Sequence, residues 1–430
     1  MRFSLCNWLA VLCVLISSLF IATSAQAAQH FITGQQSQTI GLPGGLAAMR
    51  DSNGNIYTAD PYGIGESFSI LVVLDTGASG CMLSQTDAGP NGLNIPLTGE
   101  LYEDIGIGGT EWFNVSQPTG LMLAPIGLMA TGEGNWEEFG GDDWSSGSDY
   151  DPSEDINNYS YYGDFKFQIR QADPMYGGYF PLSVNVMGTP VLNSYVMHVT
   201  PNFSGYTTMI PSIDYVNTEL LDEMPSDLPS TDVYRISLLY ENFIEGESPV
   251  TTSTNPTIEN VKLTLGGHEH TSTWLFDTGG SVSIVGRDIA TSLGIDLDDE
   301  SLIVEYTPVM GVGGEDRYLL GYLIDRLTVP LTNGDELVFE NVVIHVPEEG
   351  ALPADLNGIF GMNLLNQSLS GSDIFTLRDS PFSDWYVDPF NSELIIVLGG
   401  NVIPEPGTFV LLSIGGAILL VVRAARRRRR

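Results

Sequence analysis

Leu71-Val72-Val73-Leu74-Asp75-Thr76-Gly77-Ala78-Ser79 and Trp274-Leu275-Phe276-Asp277-Thr278-Gly279-Gly280-Ser281 are one phrase written twice. Each copy is a short apolar run, the mark of a buried strand, that breaks into a turn at Asp-Thr-Gly. Matching landmarks follow in the same order. Gly106-Ile107-Gly108-Gly109 begins 31 residues after Asp75, and Gly311-Val312-Gly313-Gly314 begins 34 residues after Asp277. Val186-Met187-Gly188 and Ile359-Phe360-Gly361 come later, with the final glycine 113 residues from Asp75 and 84 from Asp277. A phrase repeated with its landmarks implies two similar units related by a pseudo-twofold axis.

Outward from the phrase the pattern is strand-like. Short Val/Ile/Leu/Tyr/Phe runs such as Phe68 to Leu74, Leu121 to Leu128, Phe165 to Ile169, Val261 to Leu265, Tyr318 to Val329 and Leu337 to Val346 alternate with Gly, Asn, Asp and Pro. This predicts an all-β chain. Two short helices are expected, Gly286 to Leu293 and Gly361 to Asn366. The longer first spacing implies an insertion of about thirty residues, placed at 132–162, where the chain is acidic and rich in Gly and Ser and reads as a mobile loop. The units are then 28–200 and 233–401, joined by an aperiodic connection over 201–232.

The repeated aspartates suggest a specific chemistry. Two carboxyls about 3 Å apart cannot both ionise easily, so they share a proton, leaving one able to take a proton from water and the other to polarise a carbonyl. Gly77 and Gly279 permit the tight turns that let two backbones meet. Thr76 and Thr278 can hydrogen-bond across the axis, and Ser79 and Ser281 can donate to the outer carboxylate oxygens.

These motifs resemble the aspartic peptidases, whose signature is Asp-Thr/Ser-Gly, then a small residue, then Ser/Thr, with an apolar-apolar-Gly element later in each lobe. The likeness covers roughly Phe68 to Gly400. It implies a bilobal acid-protease fold of two β-barrel lobes and an endopeptidase acting on an extended polypeptide, with Asp75 and Asp277 catalytic and no metal or cofactor. In family members a hairpin flap closes over substrate. Ile105 to Phe113 sits at its place, with Gly106, Gly108 and Gly109 at the turn and Trp112 or Tyr102 as wall aromatics. Met310 to Tyr318 would be the equivalent hairpin of the second lobe, as in retropepsin-like enzymes. A plain hairpin turn remains the alternative at both. The basic prosegment of pepsin-type members has no counterpart: only 47 residues separate Ala27 from Asp75, with Arg50 the one Lys or Arg among them. Ala78 and Gly280 offer no hydroxyl to the carboxylates, which implies activity in mildly acid to neutral conditions. A non-catalytic surface binding protein and a structural envelope or extracellular-matrix protein are the other classes open to this chain.

The ends carry addresses. Residues 1–27 combine Arg2, an apolar run from Leu9 to Ile21 and the exit Ala25-Gln26-Ala27, the pattern of a cleaved secretory signal. Residues 402–430 combine Pro404-Glu405-Pro406, the apolar run Thr408 to Val422 and the block Arg426 to Arg430. This tail resembles the PEP-CTERM sorting signal of Gram-negative bacteria, which implies an exosortase-type processing enzyme as partner and a destination at the cell surface or outside it. A permanent single-pass anchor is the alternative; in either case the membrane is met only through this segment. Removing Arg2 and the six tail arginines leaves 9 basic against 53 acidic residues, near −44. A body so charged repels nucleic acid and anionic membranes.

Cys6 and Cys13 lie in the signal, so Cys81 alone remains and no intrachain disulfide can form. Cys81 reads as a small core residue. His268 and His270 alternate on a strand and read as surface residues in the absence of a third metal ligand. The acidic stretch lacks the regular ligand spacing of a calcium loop. Asp51-Ser52-Asn53-Gly54-Asn55 reads as an Asn-Gly hairpin turn.

Overall fold

The computed structural model describes residues 28–32, 37–39, 41–59, 68–125, 156–157, 159–176, 180–181, 183–201, 206–207, 214–229, 232–244, 246–308, 312, 318–347, 352, 356–370 and 373–399. The signal at 1–27, the sorting tail at 402–430 and most of the acidic insertion lie outside them. So does the Gly311-Val312-Gly313-Gly314 turn, apart from Val312.

Strands dominate and helices are few and short, so the chain is all-β. Arg287–Ser292 is helical, with Gly286 and Leu293 as its caps. The second expected helix shrinks to a single 3-10 turn, Met362–Leu364, because the segment turns back at once to hydrogen-bond Gly280 and Pro201 through Met362 N and Gln367 N.

The strands fall into two assemblies with one shared path. In the second half, Asn255–Leu265, His268–Phe276, Gly358–Phe360, Ser283–Val285, Glu336–Val346 and Tyr318–Pro330 pair in that order, and the last pairs back onto the first. The sheet therefore closes into a barrel. In the first half the sequence of pairings is Gly41–Arg50, Ile70–Leu74, Val186–Met187, Met82–Leu83, then Gln168–Arg170 with Ser160–Phe165, then Gly109–Ser116 with Thr119–Pro125. Thr119–Pro125 returns to Gly41–Arg50. What is one 13-residue strand at Tyr318–Pro330 is thus two strands in the first half, parted at Gln117-Pro118. Proline cannot donate to a ladder and interrupts it there.

Position by position the insertion occupies the place of the tight turn Leu331–Asp335, between Thr119–Pro125 and Ser160–Phe165. Its expected end is corrected: Ser160 to Tyr162 are strand, with Ser160 opposite Leu123 and Tyr161 opposite Met122, and do not belong to the loop.

The sheets also ignore the expected halves at their base. Val233–Ser237, Glu393–Leu398, Phe382–Asp388, Val196–Thr200, Asp214–Leu221 and Gly41–Arg50 form one continuous run of pairings, drawing strands from both halves. Asp214–Leu221 lies within the stretch expected to be an aperiodic connection; it pairs antiparallel with Val196–Thr200 and parallel with Gly41–Pro43. Its alternation is hidden by a run of polar residues, and the pairing is decided by neighbours far away in sequence. The N-terminal strand Gln29–Ile32 crosses the other way and joins Glu336–Phe339.

Candidate active site

Asp75 and Asp277 each follow directly on a buried strand, Ile70–Leu74 and His268–Phe276. Each strand is flanked in parallel by its landmark: Leu74 pairs with Met187, and Phe276 with Phe360. Asp75 N donates to Met187 O at 3.0 Å and Asp277 N to Phe360 O at 3.1 Å, so both aspartates leave their strands at the same register. Gly188 and Gly361 are required here. A Cβ on Gly188 would collide with the carbonyls of Ala78 and Gly80, and one on Gly361 with those of Val282 and Gly280.

The two turns meet face to face. Thr76 N donates to Thr278 Oγ1 at 2.9 Å and Thr278 N to Thr76 Oγ1 at 3.1 Å. Each hydroxyl passes its own proton across the axis, Thr76 Oγ1 to Phe276 O at 2.7 Å and Thr278 Oγ1 to Leu74 O at 2.6 Å. Both threonines are buried, so this network is shielded from water and stronger for it. A Cβ on Gly77 would stand 2.5 Å from Asp277 Cγ, and one on Gly279 would strike the Asp75 carboxyl. Each glycine lets the opposite aspartate reach the axis.

The inner oxygen of each carboxyl is held by its own turn. Asp75 Oδ1 accepts from Gly77 N at 2.7 Å and Ala78 N at 3.2 Å; Asp277 Oδ1 accepts from Gly279 N and Gly280 N, both at 2.9 Å. The two carboxyls also hydrogen-bond to each other. Asp277 is 8% exposed, and Asp75 keeps partial contact with solvent although protein atoms surround its carboxyl. Burial raises Asp277 well above the ordinary carboxylate range, and the charge of Asp75 adds to it. Burial raises Asp75 too, partly offset by the hydrogen bond with Asp277 and the N–H groups of Gly77 and Ala78. The pair therefore holds one proton over a wide pH range, with Asp277 the better keeper of it.

Ser79 and Ser281 depart from expectation. The Ser79 hydroxyl donates to Asn255 Oδ1 at 2.6 Å and not to a carboxylate. Asn255 Nδ2 in turn donates to Thr76 O at 2.9 Å and Gly77 O at 3.0 Å, so this fully buried side chain from the second half ties down the first loop. Ser281 serves through its backbone, accepting from Thr39 N at 2.9 Å, as Ser79 O accepts from Ser253 N at 2.9 Å. Among the described contacts its hydroxyl does not reach Asp277. Asn255 was missed because Asn255-Pro256-Thr257 reads locally as a turn. The Pro directly after it at the head of a strand was the available signal.

A hairpin stands where the flap was expected. Leu97–Gly106 and Gly109–Ser116 form a hairpin with Gly106 opposite Gly109, leaving Ile107-Gly108 as a two-residue turn. Gly109 has φ +115°, which only glycine takes readily. Trp112 is corrected: it is 50% exposed, paired with Glu103 on the outer face. Tyr102 faces inward, opposite the buried Phe113. The inner face also carries Asp104, which burial raises, and Glu111, 3.2 Å from the guanidinium Nε of the buried Arg170.

The tip of this hairpin touches Val312 across the axis. Gly108 N donates to Val312 O at 3.1 Å, and a Cβ on Gly106 would stand 2.7 Å from Val312 Cβ. Ile107, from the first half, packs against Leu275, Val282, Ile284, Leu319 and Ile359 of the second. Val312, from the second, packs against Met82, Phe113 and Val186 of the first. Ile107 and Val312 are crossed, each packed on the other's unit.

The remaining sequence readings fall as expected where the structure speaks. Cys81 is fully buried and burial pushes its thiol up to about 12, so it is an inert core group. His268 is exposed, and His270 meets the Ser292 hydroxyl at 3.3 Å. Asp51 accepts from Asn53 N and Asn55 N, both at 2.8 Å, and Gly54 sits at φ +87°, as a turn requires. Among the described residues no helix is long and apolar enough to cross a membrane.

No protein-family model and no curated protein matches the chain. Among solved structures it is similar to an aspartic proteinase from Irpex lacteus at 11% identity and a TM-score of 0.41, over 84% of this chain and 97% of that one. A retropepsin-like aspartic protease from Rickettsia conorii aligns at 19% identity and a TM-score of 0.23, over 38% of this chain and 90% of its own. Basic 7S globulin from soybean aligns at 8% identity and a TM-score of 0.41, over 84% of this chain and 98% of its own.

Proposed function

We propose that the protein is an aspartic endopeptidase whose single active site is the Asp75–Asp277 pair. The observation that supports it most is the symmetry of that pair: two carboxyls hydrogen-bonded to each other, each with its inner oxygen held by two backbone N–H groups. A water held between the outer oxygens loses a proton to the ionised carboxylate of Asp75 and attacks the scissile carbonyl. The carboxyl of Asp277 donates its hydrogen bond to the carbonyl oxygen as charge develops there, and the proton gained by Asp75 passes to the leaving amine. An extended polypeptide would enter between the two halves, parting the contacts that Ile107 and Val312 make across them. The signal and sorting tail make it an exported enzyme of a Gram-negative bacterium, delivered to the cell surface or beyond with an exosortase-type enzyme acting on the tail.

The test is cleavage of an unstructured protein by wild type, Asp75→Asn and Asp277→Asn. Each exchange is expected to reduce kcat about 10²- to 10⁴-fold, with the fold retained. Activity that survived either single change would refute a shared dyad.

A further inference from the structure

Ala28 directly follows the Ala25-Gln26-Ala27 exit of the signal, and its place in the fold is unusual for an arbitrary point in a chain. Its backbone nitrogen donates to Asp335 Oδ1 at 2.9 Å, while its carbonyl accepts from Glu336 N at 2.8 Å. From there Gln29–Ile32 runs parallel to Glu336–Phe339 as the outermost strand of its sheet. A four-residue parallel edge strand holds weakly by its ladder alone.

The Asp335 carboxylate is fixed in place for that nitrogen. Asn333 Nδ2 donates to Asp335 Oδ2 at 2.8 Å, Asn333 Oδ1 accepts from Asp335 N at 3.0 Å, and Gly334 at φ +88° closes the turn. Beside it, His30 Nε2 lies 3.5 Å from Asp335 Oδ2, and Glu336 accepts from Gln29 Nε2 at 2.6 Å and lies 3.7 Å from Lys262 Nζ. The His30 ring rests on Tyr234 at 4.8 Å.

We propose that Asp335 is a capture site for the α-ammonium group of a chain beginning at Ala28. A leader peptidase hydrolyses the Ala27–Ala28 bond: water's hydroxyl goes to the Ala27 carbonyl carbon, and the Ala28 nitrogen takes up the protons that make it an ammonium. One amide N–H on Asp335 thereby becomes a cation with three donors, and the contact becomes a charge-assisted bond. Ser37 and Thr39, farther along the chain, also meet the second half. The Ser37 hydroxyl bonds to the Glu305 carboxylate, Thr39 Oγ1 donates to Gln367 O at 2.7 Å, and Thr39 N holds Ser281 O. This reading is independent of peptide hydrolysis at the dyad.

The test begins with export of the full chain and mass determination of its first residue; a start anywhere other than Ala28 overturns the proposal. On the exported protein, acylation of the α-amine at pH 7 is compared between wild type and Asp335→Asn. A free α-amine titrates near 7.7–8.0, and a carboxylate partner raises it, so wild type is expected to react about 3- to 10-fold more slowly. Rates within twofold of each other overturn the proposal. A chain that retains Gln26-Ala27 keeps Asp335 and its turn intact. It is expected to show faster amide exchange over 29–32 than the Ala28-first protein at pH 6, with the difference vanishing as pH rises through the ammonium's raised pKa. Equal protection at pH 6 sinks the idea.

Discussion

Asn255 shows how much one side chain can hold. It closes two backbone carbonyls of the first catalytic turn and orients Ser79. Asn255→Ala leaves Thr76 O and Gly77 O buried and unpaired, at a cost of about 1–3 kcal/mol apiece before relaxation. A drop in the unfolding midpoint with a fall in kcat, measured on the same preparation, is the expected outcome; unchanged stability would show that water takes over its bonds. The dyad itself belongs to this scale. Because burial raises both carboxyls, and the charge of Asp75 raises Asp277 further, the singly protonated state extends upward in pH from the ordinary carboxylate range. Activity requires that state, so kcat should fall on the acid side as Asp75 is protonated and on the alkaline side as Asp277 loses its proton. The profile is expected to peak in mildly acid to neutral solution, and a maximum below about pH 3 would contradict it.

At the scale of elements the crossed hairpins carry the argument. Ile107 and Val312 stand at equivalent points of Gly-Ile-Gly-Gly and Gly-Val-Gly-Gly, and each packs its partly buried side chain on the opposite unit. Burial of such a side chain stabilises by about 1.5 kcal/mol, roughly a factor of ten in the open-to-closed ratio. Ile107→Ser with Val312→Ser should accordingly speed exchange of the Gly108 amide by a factor of ten or more at constant global stability. Unchanged exchange would mean that the tips are held by the flanking strands and not by their apolar anchors. The first glycine turn was visible in the sequence because a tight hairpin places a residue at φ > 0, here Gly109. That each tip crosses over was not, since nothing local to Ile107 names Leu275 or Ile359 as its partners.

The whole molecule is tied at its base by the sheet that mixes strands of both halves. His198, on Val196–Thr200, lies 2.9 Å from Asp384 on Phe382–Asp388 and 3.4 Å from Glu219 on Asp214–Leu221, with its ring stacked on Tyr386. Despite an opposing desolvation, which is the largest single influence, these two carboxylates together raise His198; the hydrogen bond from His198 lowers Asp384. For His198 the folded value exceeds the unfolded one, so its contribution is complete below about pH 6.5 and is lost as pH rises through the folded value. For Asp384 the folded value is depressed, so its contribution is present above about pH 3.9 and is lost as pH falls through the folded value. The clamp is therefore strongest between those limits. The stability difference between wild type and His198→Gln should be larger at pH 5.5 than at pH 8.5 in thermal unfolding; a difference independent of pH would rule the clamp out.

The sequence by itself determined the all-β character, the twofold repeat, the two aspartates and the glycines that let them meet. Those features rest on period-two burial, turn chemistry and spacing, which a chain expresses within a few residues. Only the tertiary structure decided that Ser79 serves Asn255 and that Trp112 faces outward. It also decided that 214–221 is a strand of a shared base sheet and that Ala28 docks on Asp335. Each of these depends on a partner distant along the chain, as in the 176 residues between Ser79 and Asn255 or the 307 between Ala28 and Asp335. Hydrogen bonds and apolar contacts of that range are selected by closure of the whole fold, and no local pattern encodes which of many chemically equivalent partners will be met.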